Sequence, residues 1–242
     1  MKGGGKKMTQ CRICNRVNSI SSWNSFFSIY KSDPICQQCL ESFEVITDVI
    51  CELCGRPFVN LSSEYRKGDV CYDCIRWEED NRFCSLLLKN RSVYVYNDFL
   101  KEVLSLYKFR GDYVIAEAMQ TPFRETFKKY FNLKSLIVPI PLSQERLYER
   151  GFNQSLVFAQ FLKLPVADIL TRTHHEKQSK KSRHERLHSD NFFHLKEVID
   201  LRGKEVVLID DIYTTGTTLR HAAEILKKSG ALYVSSFTLA RG

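Results

Sequence analysis

The chain has 242 residues, of which 43% are hydrophobic, and this allows one well-packed core and a second, smaller module. Its formal net charge is +8. Residues 1–90 carry 12 Lys/Arg against 11 Asp/Glu, whereas residues 91–242 carry 24 against 17, so the basic excess belongs to the second part. Neither a signal peptide nor a bilayer-spanning apolar run of roughly 18 residues occurs. We therefore expect a cytoplasmic protein without membrane insertion, and a disordered basic N-terminus over residues 1–10.

Eight of the nine cysteines fall in four Cys-x-x-Cys pairs. The pairs are Cys11 and Cys14, Cys36 and Cys39, Cys51 and Cys54, and Cys71 and Cys74. In a reducing compartment, such pairs usually indicate a metal site rather than disulfides. The first two pairs are 21 residues apart and the last two are 16 apart, so sequential pairing predicts two zinc ribbons. Four thiolates close each coordination sphere, and we expect two structural Zn²⁺ ions.

Two alternatives stay open for this cysteine-rich region. An interleaved arrangement would pair the first Cys-x-x-Cys with the third and the second with the fourth, and redox dithiols are a further possibility. The short aromatic patches between the pairs cannot build a core alone, so metal binding would supply much of the folding energy. We predict a double zinc ribbon with its linker over residues 11–90. Cys84 has no pairing partner in this pattern.

After residue 90, strand and helix patterns alternate and predict an α/β domain, residues 91–242, with a mostly parallel sheet flanked by helices. The predicted strands are 92–96, 135–141, 166–170, 204–210 and 231–237. The predicted helices are 97–109, a second one reaching about residue 130, 146–162 and 217–229.

The stretch 205–219 is the most informative part of this domain. Four apolar residues, 206–209, predict a strand buried on both faces, and Asp210 and Asp211 follow at its end. The loop after them contains Thr214, Thr215, Gly216, Thr217 and Thr218. A glycine that accepts positive φ lets backbone N–H groups converge, and a helix N-terminus adds a positive dipole. The pattern favours a cradle for one phosphate beside carboxylates that accept from vicinal hydroxyls; the alternative is an ordinary helix cap and two solvated acids.

Two basic segments accompany this loop. Arg146 and Arg150 follow the strand 135–141, whose C-terminal end should share the sheet edge with the acid pair, and their forks could bind pyrophosphate. Arginines on a helix surface are also ordinary. Residues 172–188 carry six Lys/Arg, two glutamates and four of the six histidines, which predicts a mobile loop. It could be a solvated charge run, close over pyrophosphate, or contact nucleic-acid phosphates.

The sequence VVLIDDIYTTGTTL resembles the phosphoribosyl-pyrophosphate (PRPP) loop of type I phosphoribosyltransferases. The resemblance implies that Asp210 and Asp211 hold the ribose 2′- and 3′-hydroxyls, that the Thr/Gly loop holds the 5-phosphate, and that Mg²⁺ accompanies PRPP. It also implies that the charged segment is a flap over PRPP. Its candidate contacts to pyrophosphate are Lys181, Arg183 and Arg186, joined by Lys108 from an earlier helix.

Four motifs together resemble the ComF competence family, especially its ComFC branch: KFRGD at 108–112, VPIPLSxxRxxxRGFNQ at 138–154, the PRPP loop, and LAR at 239–241. Members carry zinc ribbons before a phosphoribosyltransferase-like domain. The resemblance implies a DNA-uptake factor of natural transformation that handles single-stranded DNA with a ComFA-like helicase. An active phosphoribosyltransferase and a PRPP-sensing adaptor are the alternatives. For the enzyme, no base-recognising hood is legible, unless the zinc module serves as one.

Overall fold

The structure is a computed structural model that describes residues 9–18, 34–47, 49–59, 61–110, 113–173 and 191–242. Its strands are β1 (Thr9–Gln10), β2 (Val17–Asn18), β3 (Arg66–Lys67), β4 (Val70–Cys71), β5 (Asn90–Val95), β6 (Leu136–Pro139), β7 (Leu170–Arg172), β8 (Phe193–Leu195), β9 (Glu205–Tyr213) and β10 (Tyr233–Arg241). Its helices are α1 (Gln37–Glu41), α2 (Tyr72–Glu78), α3 (Asp98–Arg110), α4 (Tyr113–Tyr130), α5 (Gln144–Arg150), α6 (Gln154–Phe161) and α7 (Thr217–Lys228).

The main sheet has the strand order β5-β10-β9-β6, and all its pairings are parallel. This confirms the predicted fold class. Because the strands run the same way, their C-terminal ends share one edge, which is where open α/β sheets bind ligands. Strand β9 continues beyond the predicted residue 210 to Tyr213, so Asp210 and Asp211 lie within the strand rather than after it. The acid pair is therefore held by the sheet backbone.

Alternate residues of β9 face opposite sides of the sheet, as the strand period requires. Val207 and Ile209 pack with α3, α4 and α6, where the rings of Phe123 and Phe237 lie 4.4 Å apart between centroids. Val206 and Leu208 pack with α7. The four residues 206–209 are all buried, as the sequence predicts.

The cysteine-rich region contributes to both sides of this sheet. Cys51, Cys54, Cys71 and Cys74 belong to the apolar cluster that contains α7 and one face of β9. Cys11 and Cys39 pack near Phe99 of α3 and Ala118 of α4. The backbone of residues 44–46 also pairs with β5, since Ile46 N donates to Val93 O and Val95 N donates to Glu44 O, both at 2.9 Å. The two parts of the chain are thus packed on each other.

One helix prediction is wrong. The expected helix 146–162 is two helices, α5 and α6, separated by residues 151–153. Gly151 ends α5 in the left-handed region at φ 73°, and Asn153 begins α6 by accepting a hydrogen bond from Ser155 N. A glycine in the left-handed region commonly ends a helix, and an asparagine cap favours the start of the next one, so these two residues separate α5 from α6.

Two further expectations concern the N-terminus and the charged loop. Residues 1–8 lie outside the described part of the chain, while Thr9 and Gln10 pair with β2. The proposed flap residues Lys181, Arg183 and Arg186 also lie outside it. In the part that the structure describes, no helix combines the length and apolar character that crossing a bilayer would demand.

Candidate phosphate-loop and cysteine sites

The loop after β9 leads directly into α7. Gly216 is the N-cap of α7 with φ 81°, and a Cβ there would overlap Tyr213 Oη and Arg220 Nη1. Only glycine fits this position. Thr215 Oγ1 lies 2.9 Å from Thr217 Oγ1, so hydroxyls cluster at the start of the helix. Gly216 has no side chain that could cap α7, and Thr217 N donates a long hydrogen bond of 3.4 Å to Thr215 Oγ1. Such a helix N-terminus, with backbone N–H groups and hydroxyls together, suits an anion.

Asp210 and Asp211 lie just before this loop. The Oδ1 atom of Asp210 accepts from Ser155 Oγ at 3.0 Å and from Asp211 N at 2.9 Å. Burial, followed by the charge of Asp211, raises the pKa of Asp210 to about 7, while its two hydrogen bonds and Lys108 act in the opposite direction. Lys108 Nζ forms an ion pair with Asp211 Oδ2. The acid pair therefore has a cationic partner and a hydroxyl donor from two other helices.

The residues predicted to bind pyrophosphate have different partners in the structure. Lys108 forms its ion pair with Asp211, so its ammonium group is not free to bind an anion in this structure. Arg150 Nη1 donates to Gln154 Oε1 at 2.7 Å. Burial, then the charge of Arg146, lowers the pKa of Arg172, and Asp210 opposes that effect. Arg172 is thus close enough to both Arg146 and Asp210 for their charges to alter its pKa.

Sequence reasoning missed several residues that support the loop from behind. Trp77 Nε1 donates to Thr215 O at 2.9 Å. Arg220 Nη1 donates to Tyr213 Oη at 2.8 Å, and its Cζ lies 4.3 Å from the centroid of the Trp77 ring. Arg241 Nη1 donates to the carbonyls of Tyr213 and Thr214 at 3.2 and 3.1 Å. Only Arg241, in the terminal LAR motif, carried a sequence signal, and that signal gave it no role.

The cysteines form two tetrads, which we call the first tetrad (Cys11, Cys14, Cys36, Cys39) and the second tetrad (Cys51, Cys54, Cys71, Cys74). Within each, the sulfurs lie within 4.8 Å of one another. The predicted sequential pairing is confirmed, and the interleaved alternative is wrong. The two tetrads also share their backbone pattern. Cys11 N donates to Arg16 O at 2.9 Å and Cys51 N to Arg56 O at 2.8 Å.

The tetrads fit zinc. Tetrahedral Zn–S bonds of about 2.3 Å place sulfurs about 3.8 Å apart, whereas a disulfide needs about 2.05 Å. The Sγ atoms of Cys11 and Cys39 are 3.8 Å apart, and those of Cys54 and Cys71 are 3.7 Å apart. The donor set is therefore that of a closed, structural zinc site.

The parallel sheet, the acid pair and the Thr/Gly loop of residues 214–218, which we call the phosphate loop after its expected ligand, are the features of a phosphoribosyltransferase-type domain. Residues 152–242 match the phosphoribosyl transferase domain family. The chain is 43% identical over 242 residues to the competence protein ComFC of Bacillus subtilis (strain 168), covering 99% of this chain and 98% of that protein. It is 30% identical to the competence protein ComFC of Streptococcus pneumoniae (strain ATCC BAA-255 / R6), covering 96% and 100%. The chain belongs to the ComFC family of competence proteins.

More distant similarities are partial. The DNA utilization protein YhgH of Escherichia coli (strain K12) is 32% identical over 116 residues, which are 45% of this chain and 50% of that protein. A purine phosphoribosyltransferase from Pyrococcus horikoshii is 21% identical with a TM-score of 0.33, covering 52% of this chain and 72% of that one. The adenine phosphoribosyltransferase of Leishmania donovani is 14% identical with a TM-score of 0.35, covering 56% and 68%.

Proposed function

We propose that this protein is a DNA-uptake factor of natural transformation that binds Mg²⁺-PRPP at the phosphate loop and handles single-stranded DNA beside it. The observation that carries the proposal is the arrangement of Asp210 and Asp211 next to the glycine-capped N-terminus of α7 with its cluster of threonine hydroxyls. Its relatives named as competence proteins support the biological context.

In this proposal each part of PRPP meets a different element. The backbone N–H groups and hydroxyls of residues 214–218 bind the 5-phosphate, because a helix N-terminus favours an anion. The acid pair accepts hydrogen bonds from the ribose hydroxyls, and Arg146 and Arg172 face the pyrophosphate. Mg²⁺ would neutralise part of the pyrophosphate charge when bound. Lys108 balances the acid pair in the free protein, since its ammonium contacts Asp211.

The PRPP site is tested by the double substitution Asp210→Asn with Asp211→Asn. Removing both carboxylates takes away the acceptors for the ribose hydroxyls, so calorimetry should find no binding of Mg²⁺-PRPP while the fold persists. Asp200→Asn is the matched control, because this exposed carboxylate contacts only Arg202 among the interactions seen in the described residues. Wild-type affinity in the double variant would contradict the site.

The DNA part of the proposal is carried by α5. This helix buries none of its residues, its Tyr148 is 92% exposed, and Arg146 and Arg150 lie two positions before and after Tyr148 in the sequence. An exposed aromatic and two arginines on one exposed helix suit single-stranded DNA, because bases can stack on the ring while guanidinium groups of the same helix bind phosphates. The helix follows β6 directly, so it lies at the edge of the sheet that carries the acid pair.

Binding of single-stranded DNA should be measured by fluorescence anisotropy across a salt series, with and without Mg²⁺-PRPP. We expect a steep salt dependence and a loss of about 1–3 kcal/mol in Tyr148→Ala, the usual value of one stacked base. Tyr233→Ala is the control, because Tyr233 is also partly exposed but begins β10 at the opposite edge. Absence of DNA binding at low salt would favour the enzyme function instead.

An active phosphoribosyltransferase is the second candidate function, and the domain match over residues 152–242 favours it. It predicts that pyrophosphate is released from Mg²⁺-PRPP in the presence of a purine or pyrimidine base. Absence of release with either class, while calorimetry detects PRPP binding, would leave binding without transfer. That outcome would also suit a PRPP-sensing adaptor.

The remaining assignments are part of the same proposal. We propose that the chain divides into a basic N-terminus, a double zinc ribbon with its linker over residues 11–90, and a phosphoribosyltransferase-like domain over residues 91–242. We also propose that it binds two structural Zn²⁺ ions. Its proposed location is the cytoplasm, and its proposed partner is a ComFA-like helicase. Metal analysis should find close to two zinc ions per chain, and a value near one would show that one tetrad is misassigned. Co-purification with the helicase would test the partnership.

A further inference from the structure

The second tetrad lies directly against the phosphate loop. Three residues join the two: Trp77, Arg220 and Arg241, which we call the loop buttress. We propose that metal occupancy of the second tetrad and ligand binding at the phosphate loop are energetically coupled through this buttress, whereas the first tetrad is not. The identity of the ligand, Mg²⁺-PRPP, rests on the proposed function, but the coupling rests on contacts within the chain.

Arg241 makes the shortest connection. Arg241 is 3% exposed at the end of β10, and its Nη2 donates to Cys54 Sγ at 3.3 Å. Its other terminal nitrogen, Nη1, donates to the backbone carbonyls of Tyr213 and Thr214. One planar group therefore holds a metal-ligand sulfur and the start of the phosphate loop. A metal-held thiolate is a fixed, charged acceptor, and charge-assisted hydrogen bonds are about twice as strong as neutral ones.

Trp77 makes a second connection, through the helix that follows the last cysteine. It lies one turn after Cys74 on α2, and its indole N–H holds the carbonyl of Thr215. Arg220 stacks on the same ring and bonds Tyr213 Oη. A Cβ atom at position 216 would overlap the Tyr213 hydroxyl and the Arg220 guanidinium, which is why glycine suits this position. Movement of α2 on loss of the metal would therefore be transmitted to the loop at Thr215.

A cavity marks the join between the two sites. It has a volume of about 130 Å³ and is lined by Cys54, Cys74 and Trp77 from one side and by Tyr213 to Thr215 and Arg241 from the other. Side chains therefore do not completely fill the space between the second tetrad and the loop, and the hydrogen bonds of the buttress contribute to the position of the loop. A support made of few contacts is readily altered when one of its anchors, here the metal site, changes.

The first tetrad provides the internal comparison. Its Cys11 and Cys39 pack toward Phe99 and Ala118, which belong to helices on the other face of the sheet. The same donor set is thus present twice, and among the contacts of the described residues it is the second set that is joined to the loop. Because coupling between two sites is reciprocal, ligand should retain the second metal ion as strongly as that ion favours the ligand.

The first experiment follows zinc release from the full-length protein to a colorimetric chelator. With saturating Mg²⁺-PRPP, one of the two ions should leave about 5- to 150-fold more slowly, the usual range of coupling between sites, and the other should leave at an unchanged rate. Mg²⁺ alone is the control. In Cys14→Ser, which disrupts the first tetrad, the ion that remains should still be retained by ligand. Equal release rates with and without ligand, while calorimetry shows the ligand bound, would overturn the inference.

The second experiment alters the buttress and keeps the cysteines. Trp77→Phe retains a ring beside Phe83 and Arg220 but loses the N–H that donates to Thr215 O. Arg241→Lys retains the positive charge, but a single ammonium group cannot bond the Cys54 sulfur and the two loop carbonyls as the guanidinium does. Both variants should keep two zinc ions and the wild-type fold, bind Mg²⁺-PRPP at least about 5-fold more weakly, and lose the ligand effect on zinc release. Tyr72→Phe, on the exposed side of the same helix, should behave as wild type.

A third measurement does not need the ligand. Hydrogen–deuterium exchange should rise in residues 213–218 of the free protein when the second tetrad loses its zinc, and also in Trp77→Phe, while residues 206–209 stay protected. If wild-type protein fails to bind Mg²⁺-PRPP, the proposed function is wrong, and this measurement still decides the coupling. Unchanged exchange in the loop in both cases would refute it.

Discussion

Asp210 illustrates at the scale of a residue how the site is held ready for a ligand. Two adjacent carboxylates lie in the half-buried last part of β9, and each has a donor: Ser155 for Asp210 and Lys108 for Asp211. Even so, burial and the charge of its neighbour raise the pKa of Asp210 to about 7. Ionised Asp210 is therefore costly in the free protein, and a ligand that donates hydrogen bonds to it would relieve that cost.

The raised pKa leads to a prediction about stability. A carboxyl whose folded-state pKa exceeds its unfolded value stabilises the fold fully only at low pH, and this contribution is lost as pH rises from about 4 through 7. Asp210→Asn removes the ionisation, so it should stabilise the free protein, relative to wild type, by about 1–3 kcal/mol more at pH 8 than at pH 5. Thermal unfolding at the two pH values measures this difference. The same effect at both would show that Asp210 has an ordinary pKa.

Gly216 gives a second prediction at this scale. Gly216→Ala imposes a side chain at φ 81° and also an overlap with Tyr213 and Arg220. It should lower the free energy of unfolding by about 1–3 kcal/mol and weaken Mg²⁺-PRPP binding. Gly203→Ala is the matched control, because Gly203 has φ 72° but nothing lies near its Cβ position. If the two substitutions have equal effects, only the backbone angle matters and the buttress does not press on Gly216.

At the scale of elements, α7 connects segments that are distant in sequence. Glu224 on this helix accepts from Arg82 of the linker at 3.0 Å and from Asn191, just before β8, at 2.9 Å. Burial opposes ionisation of Glu224, but these bonds and the one from Lys228 outweigh it and lower its pKa to about 2. The helix that begins at the phosphate loop thus also ties down the linker and the chain after the charged segment.

We predict that Glu224→Gln destabilises the protein by about 1–3 kcal/mol at neutral pH, because Arg82 loses a charged acceptor in a half-buried position. The depressed pKa means that the carboxylate stabilises the fold above about pH 4.5 and that this contribution is lost as pH falls toward 2. Chemical unfolding at pH 7 and pH 3 should therefore show a smaller difference at pH 3. Glu125→Gln, at an exposed position of α4, is the control.

For the whole molecule, the two tetrads have unequal structural roles. Cys54 is 1% exposed and belongs to the apolar cluster that covers one face of the sheet, whereas Cys14 is exposed. The second tetrad is therefore a part of the main core, since its cysteines pack with the apolar side chains of β9 and α7. The first tetrad packs with a small cluster of its own.

We expect Cys54→Ser to lower the melting temperature of the whole chain much more than Cys14→Ser does, because structural zinc contributes directly to folding where its ligands join the core. Thermal unfolding, together with metal analysis of each variant, measures this. Both variants should lose one zinc ion. Equal losses of stability would show that the second tetrad folds independently of the sheet.

Much of the site could be predicted because its signals are local. The cysteine spacing, the buried run 206–209, the acid pair and the Thr/Gly loop each occupy a short stretch, and local patterns report backbone preference and burial directly. The break between α5 and α6 was also encoded locally, by Gly151 and Asn153, but helical periodicity on both sides concealed it. The length of β9 could not be predicted from the sequence, because the strand is extended past Asp210 and Asp211 by its pairing with β10 rather than by a longer run of apolar residues.

By itself, the sequence determined the class of fold, the two cysteine tetrads and the loop suited to a phosphate. Tertiary structure alone decided that one tetrad supports that loop. Trp77 lies 138 residues before the carbonyl it holds, and Cys54 lies 187 residues before Arg241. Local sequence preferences do not predict such long-range contacts, because the contacts depend on which buried surfaces pack together once the sheet and helices have formed.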